Sequence, residues 1–231
     1  MTFQVAPKSG GDAASSFTIA GQTFTIEQVA ASILGMVPVG SLGQVNAQGG
    51  WSFELDAVNL GNIAATARVN FADPSGNPLL MPPIFPQSPA TGGAELAATL
   101  DRTINPNARL VINSTGSAAA PPLLGSGQLL SNGNVSGLGV LSFPAFNWNA
   151  VVPLETRKAT TYSLPFDNAG VLTTGVALSN ITAGTVRVKV TILSDAGSQI
   201  GTDTLTFTPQ AFQQFLLPTN DPQTKAARGT I

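Results

Sequence analysis

Apolar and polar residues alternate along many short stretches of this chain. In residues 65–71 every odd position is apolar, and in residues 186–192 every even position is apolar. A period of two puts successive side chains on opposite faces, which is typical of a half-buried β-strand. A glycine-containing turn follows each stretch, at residues 73–76 and 194–197. The pattern therefore predicts antiparallel strands joined by tight turns.

The same pattern occurs twice at a fixed distance. Residues 59–76 align with residues 180–197 without a gap, 121 positions apart. Residues 106–112 align with residues 209–215 at a shorter distance of 103. The first copy therefore has a longer connection, which we place in its proline-rich stretch at residues 80–89. Two copies of one supersecondary unit explain these matches.

The ends of the two copies differ. Residues 125–129 resemble the last five residues, 227–231, but the first copy continues through an Asn-Gly turn into a further strand at residues 135–143. We expect the second copy to be one or two strands shorter. A separate hairpin is expected near the start of the chain, packed on or beside the first unit, with a short helix across residues 26–34.

These observations predict an all-β protein with two tandem immunoglobulin-like β-sandwich units and a short N-terminal β-hairpin extension. We expect the hairpin and a linker in residues 1–48, the first sandwich in residues 49–150, and the second in residues 151–231. The inward-facing residues of each unit should form a core between two sheets.

Composition narrows the classes of function. The 231 residues contain no histidine and no cysteine, so Ser-His and Cys-His catalytic pairs, thiol nucleophiles and disulfides are excluded. Only 10% of residues are charged, against about 25% in average soluble proteins. The net charge of −2 and the scattered basic residues do not predict a nucleic-acid partner. We expect no enzyme activity and no cofactor.

Neither a membrane span nor a signal peptide is predicted. The apolar stretch at residues 33–40 is too short and too broken to cross a bilayer, and the N-terminus lacks a basic start followed by an apolar run. A surface covered with Ser, Thr, Asn and Gly, and poor in charge, is common in extracellular β-proteins. We therefore expect an extracellular or cell-surface location, with export directed by sequence outside this chain.

Several short motifs from about residue 49 onward resemble a repeat found in secreted multidomain proteins of soil bacteria. They are Gly-Gly-Trp at 49–51, Val-Asn at 58–59, Val-Pro-Leu-Glu-Thr-Arg at 152–157, Leu-Pro-Phe-Asp-Asn at 164–168, Thr-Gly-Val-Ala-Leu-Ser-Asn at 174–180 and Arg-Gly-Thr-Ile at 228–231. The resemblance implies tandem β-sandwiches with no established function. It also implies a further strand after the last motif.

The first thirty residues resemble the closing strands of a BACON-type immunoglobulin-like domain. The resemblance rests on residues 3–11 and 16–28. Such domains are appended to secreted bacterial proteins and are implicated in glycan binding or spacing. Because only a final hairpin is present, the resemblance transfers no carbohydrate site. Together the two resemblances imply a segment of a larger exported protein.

Few acidic residues are arranged as a reactive site. Glu54 and Asp56 lie two apart on a predicted strand and could form a glycosidase pair, but Phe53 and Leu55 alternate with them as in an ordinary amphipathic strand. Residues 73–77 could offer oxygen ligands to calcium, although they already read as a turn. The glycines near residues 125–127 and 137–139 indicate close strand approach more than a phosphate loop. No catalytic, cofactor or metal residue is assigned.

Three aromatic residues are candidates for contact with a glycan or with the neighbouring unit: Trp51, Trp148 and Tyr162. Trp148 lies in Asn-Trp-Asn, next to Phe-Pro-Ala-Phe at residues 143–146, between the two units. We favour an interdomain plug for this cluster over a sugar-binding surface, and both interpretations stay open.

The predicted function is that of a non-enzymatic extracellular structural or adhesive module. The hairpin is rich in β-forming residues, and a second sandwich that is short of strands would leave a groove. An extended segment of one copy could fill the groove of the next, so that copies form a head-to-tail fibre. The candidate exchange residues are Phe17, Ile19, Phe24 and Ile26. The partner is then the chain itself or another extracellular protein; the alternative is a carbohydrate-binding or spacer module of a larger secreted protein.

Overall fold

A computed structural model describes residues 35–87, 96–114, 117–157 and 159–231, together with the backbone of residues 13–19 and 22–28. Strands account for 56% of the structure and helices for 5%, and every described strand pair is antiparallel. The predicted all-β class, with tandem sandwiches, is confirmed. Among the described residues, the helices are too short or too polar to cross a bilayer.

The first sandwich consists of two facing sheets. One has the strand order β3 (Val37–Ala47), β9 (Leu123–Ser131), β5 (Ala65–Ala72), β7 (Thr99–Ile104). The other has the order β11 (Trp148–Pro153), β10 (Val135–Phe143), β4 (Ser52–Asn59), β8 (Arg109–Ser114), β6 (Pro83–Ile84). Strand β3 lies inside the segment that the sequence assigned to a hairpin and linker, so the sandwich begins earlier than residue 49.

The core of the first sandwich follows from the period-two pattern. Along β4 the burial alternates without interruption, with Phe53, Leu55 and Ala57 inside. Phe71 of β5 meets Phe53 edge to face, with ring centroids 6.4 Å apart. Burying apolar side chains of this size contributes about 1.5–3 kcal/mol each. The alternation therefore determines which face of each strand lies inward.

The second sandwich has fewer strands. Its larger sheet has the order β12 (Pro165–Asp167), β17 (Arg228–Thr230), β14 (Val186–Ser194), β15 (Gln199–Phe207), and the smaller sheet pairs β13 (Gly175–Ser179) with β16 (Phe212–Leu216). A short helix, α1 (Leu217–Asn220), follows β16. Phe166, Ile192 and Leu217 form its buried cluster, whereas Val188 and Leu205 are only half-buried. The interior of the second sandwich is thus less covered than that of the first.

The two sandwiches share loop geometry as well as strand order. We call residues 105–109 the β7–β8 loop and residues 208–212 the β15–β16 loop. In the first, Ala108 N donates to Asn105 O at 3.0 Å; in the second, Ala211 N donates to Thr208 O at 3.1 Å. Asn107 and Gln210 have φ values of 56° and 59°. The two loops therefore have the same backbone conformation 103 positions apart.

The match near the end of the chain differs by two residues from the sequence alignment. A Cβ on Gly125 would meet Ala72 O, and one on Gly229 would meet Leu193 O. Since Ala72 and Leu193 are 121 positions apart, Gly229 corresponds to Gly125, not to Gly127. A shift of two keeps side chains on the same face of a strand, so alternation alone could not distinguish these registers.

A turn of the first sandwich contacts the second. We call residues 73–77 the β5 turn and residues 194–198 the β14 turn. Phe212 N donates to Pro74 O at 3.3 Å, and Thr208 Oγ1 donates to Ser75 O at 3.2 Å. A Cβ on Gly76 would lie 2.0 Å from Pro209 O. The β5 turn is therefore seated directly on the β15–β16 loop.

Strand β3 provides a second connection between the sandwiches. Ser41 and Glu155 exchange backbone hydrogen bonds of 3.0 and 2.8 Å, which holds the segment after β11 along the edge of β3. Gly43 approaches Ala177 O of β13, with its Cβ position 3.5 Å away. Backbone contacts thus join the units on two sides.

The N-terminal hairpin consists of β1 (Ala13–Ile19) and β2 (Gln22–Gln28). Phe17 pairs with Phe24, and the two strands form a two-stranded sheet of their own in the described chain. The helix expected across residues 26–34 is wrong at its start, because β2 continues through Gln28; residues 29–34 lie outside the described residues. So do the side chains of the four candidate exchange residues.

Candidate functional site

Among the described residues, the largest group of aromatic rings in mutual contact is at one end of the first sandwich. Trp51, Phe143, Phe146 and Trp148 form it, and we call these four residues the aromatic cluster. Phe143 ends β10 and Trp148 begins β11, and the two residues are cross-strand partners. Trp51 immediately precedes β4, which is the other neighbour of β10. Three adjacent strands therefore bring these residues together.

The connection between β10 and β11 presents Phe146 outward. Pro144–Phe146 is a single 3-10 turn with proline at its start, where the missing N–H costs no hydrogen bond. Asn147 has a left-handed φ of 54°, and its N–H donates to Pro144 O at 3.0 Å. Asparagine tolerates this conformation better than most residues. The turn is thus encoded locally by proline and asparagine.

The rings of the aromatic cluster contact one another in series. Ring centroids are 4.7 Å apart for Trp51 and Phe143, 5.2 Å for Phe143 and Phe146, and 5.1 Å for Phe146 and Trp148. The last two pairs are stacked, with interplanar angles of 14° and 29°. Aromatic contacts of this kind contribute about 0.5–1.5 kcal/mol each beyond burial. Each ring therefore supports its neighbour.

The four rings of the aromatic cluster differ in solvent exposure. Phe146 is 61% exposed and Trp148 is 59% exposed, whereas Trp51 and Phe143 are half-buried beneath them. The described ring contacts of the cluster all lie within the first sandwich. The interdomain plug therefore gains no support from these contacts.

The amide of Asn149, next to Trp148 in sequence, lies on the opposite face of β11, because successive strand residues alternate between the two faces of a sheet. Asn147 and Asn149 flank Trp148, and Asn149 Oδ1 accepts a 2.8 Å hydrogen bond from Ser142 Oγ. That bond orients the Asn149 amide and leaves its NH₂ group to donate elsewhere. The exposed ring faces of Phe146 and Trp148 can therefore stack on an apolar face of a ligand, without the Asn149 amide.

Tyr162, the third aromatic candidate, lies elsewhere. Its hydroxyl donates to Arg157 O at 3.2 Å, and the Arg157 guanidinium carbon lies 5.3 Å from its ring centroid. Arg157 also binds Glu155, with two side-chain bonds of 2.9 and 2.6 Å, and this contact lowers the pKa of the Glu155 carboxyl. The structure thus joins Trp51 with Trp148 but not with Tyr162. Phe143 and Phe146, which the sequence marked only as neighbours, complete the cluster.

The carboxylates of Glu54 and Asp56 share one face of β4, as the alternation predicts. Arg109, across on β8, binds Asp56 closely and lies 3.5 Å from Glu54 Oε1. Burial and, next, the negative charge of Asp56 raise the pKa of Glu54. These contacts match those of a charged outer strand face, in which Arg109 bridges two acids.

The acidic turn at residues 73–77 and the glycines at residues 137–139 make structural contacts. Asp73 Oδ1 accepts hydrogen bonds from Ser75 N and Asn77 N at 2.8 and 2.9 Å, which closes the β5 turn. A Cβ on Gly137 would lie 2.4 Å from Asp56 O, so this glycine permits close strand approach. In the described part of the chain, no three acidic, histidine or cysteine residues group as metal ligands.

Comparison of the chain with known proteins yields no relative. No protein-family model, no curated protein and no solved structure matches it. The function is therefore argued from the geometry of this chain.

Proposed function

We propose that this chain is a non-enzymatic structural or adhesive module of an extracellular protein, and that its two sandwiches are consecutive units of a repeat. The observation that supports this most is the contact of the β5 turn with the β15–β16 loop. Its hydrogen bonds run from Phe212 N and the Thr208 hydroxyl to backbone carbonyls of the β5 turn, so they hold one sandwich against the next. Membership of the soil-bacterial repeat family and the BACON-type origin of the hairpin belong to the same proposal.

The proposed assembly is head to tail, with an extended segment of one copy completing the second sandwich of another. In the first sandwich β4 lies between β10 and β8; in the described chain its counterpart β13 pairs with β16 alone. Val188 and Leu205 are half-buried inside the second sandwich, which leaves apolar surface for an added strand to cover. The hairpin residues Phe17 and Phe24 belong to the proposed donor.

The size distribution of the purified chain tests this proposal. We expect filaments or large oligomers in sedimentation and in negative-stain microscopy, increasing with concentration. The double variant Phe17→Asp with Phe24→Asp should dissociate them, because charges cannot enter an apolar groove without a large desolvation cost. The matched control Thr18→Asp with Thr23→Asp changes the neighbouring cross-strand pair of the hairpin. A monomer at all concentrations would contradict assembly.

A second candidate function is carbohydrate binding, and the aromatic cluster is the observation that favours it. Two exposed rings above two half-buried ones form a supported aromatic surface. Sugar rings have apolar faces that stack on aromatic side chains, with hydroxyl groups at their edges. We propose a neutral polysaccharide as the ligand because the residues that form the cluster carry no charge.

Tryptophan fluorescence titrated with soluble polysaccharides tests this second candidate. Binding should change the emission of Trp148, and Trp148→Ala should reduce affinity at least tenfold. Tyr162→Phe is the matched control, since Tyr162 lies outside the cluster and should leave binding unchanged. Unaltered emission across a panel of neutral glucans, xylans and mannans would reject a glycan site here.

A further inference from the structure

Each partner in the contact between the two sandwiches has a structural equivalent on the other sandwich. The β5 turn occupies the β15–β16 loop. The corresponding β14 turn on the second sandwich is exposed at residues 195–198, and none of the described residues lies within 4 Å of the position where Gly197 would carry a Cβ. The corresponding β7–β8 loop on the first sandwich is also exposed at Asn105, Pro106, Asn107 and Arg109. The β14 turn and the β7–β8 loop, which lie on different sandwiches, are therefore both exposed.

The free turn has the conformation of the occupied one. In the β5 turn Gly76 N donates to Asp73 O at 3.0 Å, and in the β14 turn Gly197 N donates to Ser194 O at 2.8 Å. The two glycines have positive φ values of 90° and 75°. Both turns are closed by a backbone hydrogen bond four residues apart, from Asp73 to Asn77 and from Ser194 to Ser198. The β14 turn therefore presents the same carbonyl groups as the β5 turn.

The free loop presents the same donors as the occupied loop. Phe212, whose N–H binds Pro74 O, is paired with Ser179 on β13. Arg109 is at the equivalent position of the first sandwich and is paired with Val58 on β4. Asn59 N donates to Ala108 O, so these two residues are a hydrogen-bonded pair of the ladder. The next pair, Val58 and Arg109, is therefore not hydrogen-bonded, and the Arg109 N–H points away from β4. In both loops a proline precedes the left-handed residue, Asn107 or Gln210. In the β7–β8 loop the amide of Asn105 takes the place of the Thr208 hydroxyl as hydrogen-bond donor.

We propose that the β14 turn of one copy docks on the β7–β8 loop of a second copy and repeats the contact made within the chain. In this arrangement Asp195 takes the place of Pro74, and Arg109 takes the place of Phe212. Asp195 and Arg109 carry opposite charges, and the Arg109 side chain, which also binds Asp56 within its own chain, is 57% exposed. A contact between two different surfaces that does not close on itself propagates into a filament. The proposal deepens the structural function and uses surfaces distinct from the hairpin.

Cysteine cross-linking tests the contact, because the chain has no cysteine of its own. Ser75 and Thr208 touch within the chain, and the positions that correspond to them are Ala196 and Asn105. Proteins that carry Ala196→Cys alone and Asn105→Cys alone are mixed and oxidised, with a size tag on one. We expect covalent heterodimers several-fold above the proportion that random collision gives. Ser75→Cys with Thr208→Cys in one chain is the positive control and should form an internal disulfide.

A second variant separates docking from accidental proximity. Gly197→Asn should fold normally, because asparagine tolerates the left-handed conformation and the space around Gly197 is open in one copy. In the docked pair its Cβ would collide with Pro106 O, as a Cβ on Gly76 would with Pro209 O. Adding Gly197→Asn to the Ala196→Cys protein should therefore return heterodimers to the random proportion.

The outcomes are distinguishable from those of strand complementation. Heterodimers at the random proportion, with the internal control disulfide formed, would overturn the docking proposal whatever the hairpin does. Cross-linking that Phe17→Asp with Phe24→Asp leaves unchanged, and that Gly197→Asn abolishes, would support turn docking. Efficient cross-linking that survives Gly197→Asn would also overturn it, since the docked geometry cannot accept that side chain.

Discussion

Asn59 and Asn180 occupy the same position in the two sandwiches, and their carboxamides make similar hydrogen bonds, with the second acceptor displaced by one residue. Asn59 Nδ2 donates to Ile63 O and Ile104 O at 2.7 and 3.0 Å, and Asn180 Nδ2 donates to Gly184 O and Thr208 O at 2.7 and 2.9 Å. Each Oδ1 accepts from the backbone N–H two residues later, at 2.9 Å. One buried side chain thus closes its own loop and ties it to a second segment in each unit.

Replacing either asparagine should destabilise its own sandwich. Asn59→Ala and Asn180→Ala each remove the hydrogen bonds of the carboxamide to two carbonyls and one N–H, and a buried polar group that loses its partner costs about 1–3 kcal/mol. In the second sandwich Gly184 O keeps the hydroxyl of Thr182 as a donor, so we expect the smaller loss for Asn180→Ala. Urea unfolding followed by circular dichroism measures the loss. The exposed Asn62→Ala is the control and should unfold like the unmodified chain. Equal stability of all three variants would show that water replaces the carboxamide.

Two glycines should not accept alanine. A Cβ would lie 2.1 Å from Ala72 O on Gly125 and 1.9 Å from Leu193 O on Gly229, so the strands would have to separate. We expect Gly125→Ala and Gly229→Ala to cost about 1–3 kcal/mol, as overpacking does. Gly184→Ala is the matched control, since in the described part of the chain no atom lies within 4 Å of its Cβ position. Thermal melting compares the three, and an unchanged melting temperature for Gly125→Ala would contradict the register of β9 with β5.

The two tryptophans should be distinguishable by fluorescence. Trp148 is 59% exposed and should emit at long wavelength and be quenched readily by acrylamide; Trp51 is half-buried and should be less accessible. Trp148→Phe should remove most of the quenchable emission, and Trp51→Phe should leave most of it. If Trp148 proves as protected as Trp51, the aromatic cluster is covered in solution, which self-association would explain.

Stability should depend on the ionisation of Glu54. Burial, then Asp56, raise the pKa of Glu54 above its ordinary value of 4.5. A carboxyl whose pKa is higher in the folded than in the unfolded chain binds more protons when folded, so folding is favoured below 4.5 and loses that contribution as pH rises through the folded pKa. Relative to Glu54→Gln, the unmodified chain should therefore lose stability as pH rises through that window.

Urea midpoints measured for both proteins across mildly acidic and neutral pH check this expectation. Arg109 attracts the Glu54 carboxylate and opposes the shift, so Arg109→Ala should widen the difference between the proteins at neutral pH. A difference that does not change with pH would mean that Glu54 titrates alike in the folded and unfolded states.

Much of the fold could be predicted from the alternation of residues. The period of two assigns Phe53 and Leu55 to the core and Glu54 to solvent, because a strand has only two faces. The repeat at a distance of 121 predicts equivalent strands, and β5 and β14 begin at equivalent residues. Register within β17 could not be predicted, since a shift of two residues preserves the face.

The candidate site was only partly predictable. Proline and aromatic residues around Trp148 mark an unusual connection, but a one-dimensional pattern does not say whether a ring is covered. That depends on which other parts of the chain pack against the ring, and Trp148 is left 59% exposed. Residues 37–47 also lack strict alternation, because a bulge interrupts the pairing of β3 with β9. Strand β3 was therefore not predicted from the sequence.

The amino-acid sequence alone determines the all-β class, the duplication, the turns and the absence of histidine and cysteine chemistry, because these follow from local backbone preference and residue type. Only the tertiary structure decides that the β5 turn meets the β15–β16 loop while the matching turn and loop stay free. That difference depends on how two rigid units are placed relative to each other, and residues such as Gly76 and Gly197 look alike until Pro209 O lies against one of them.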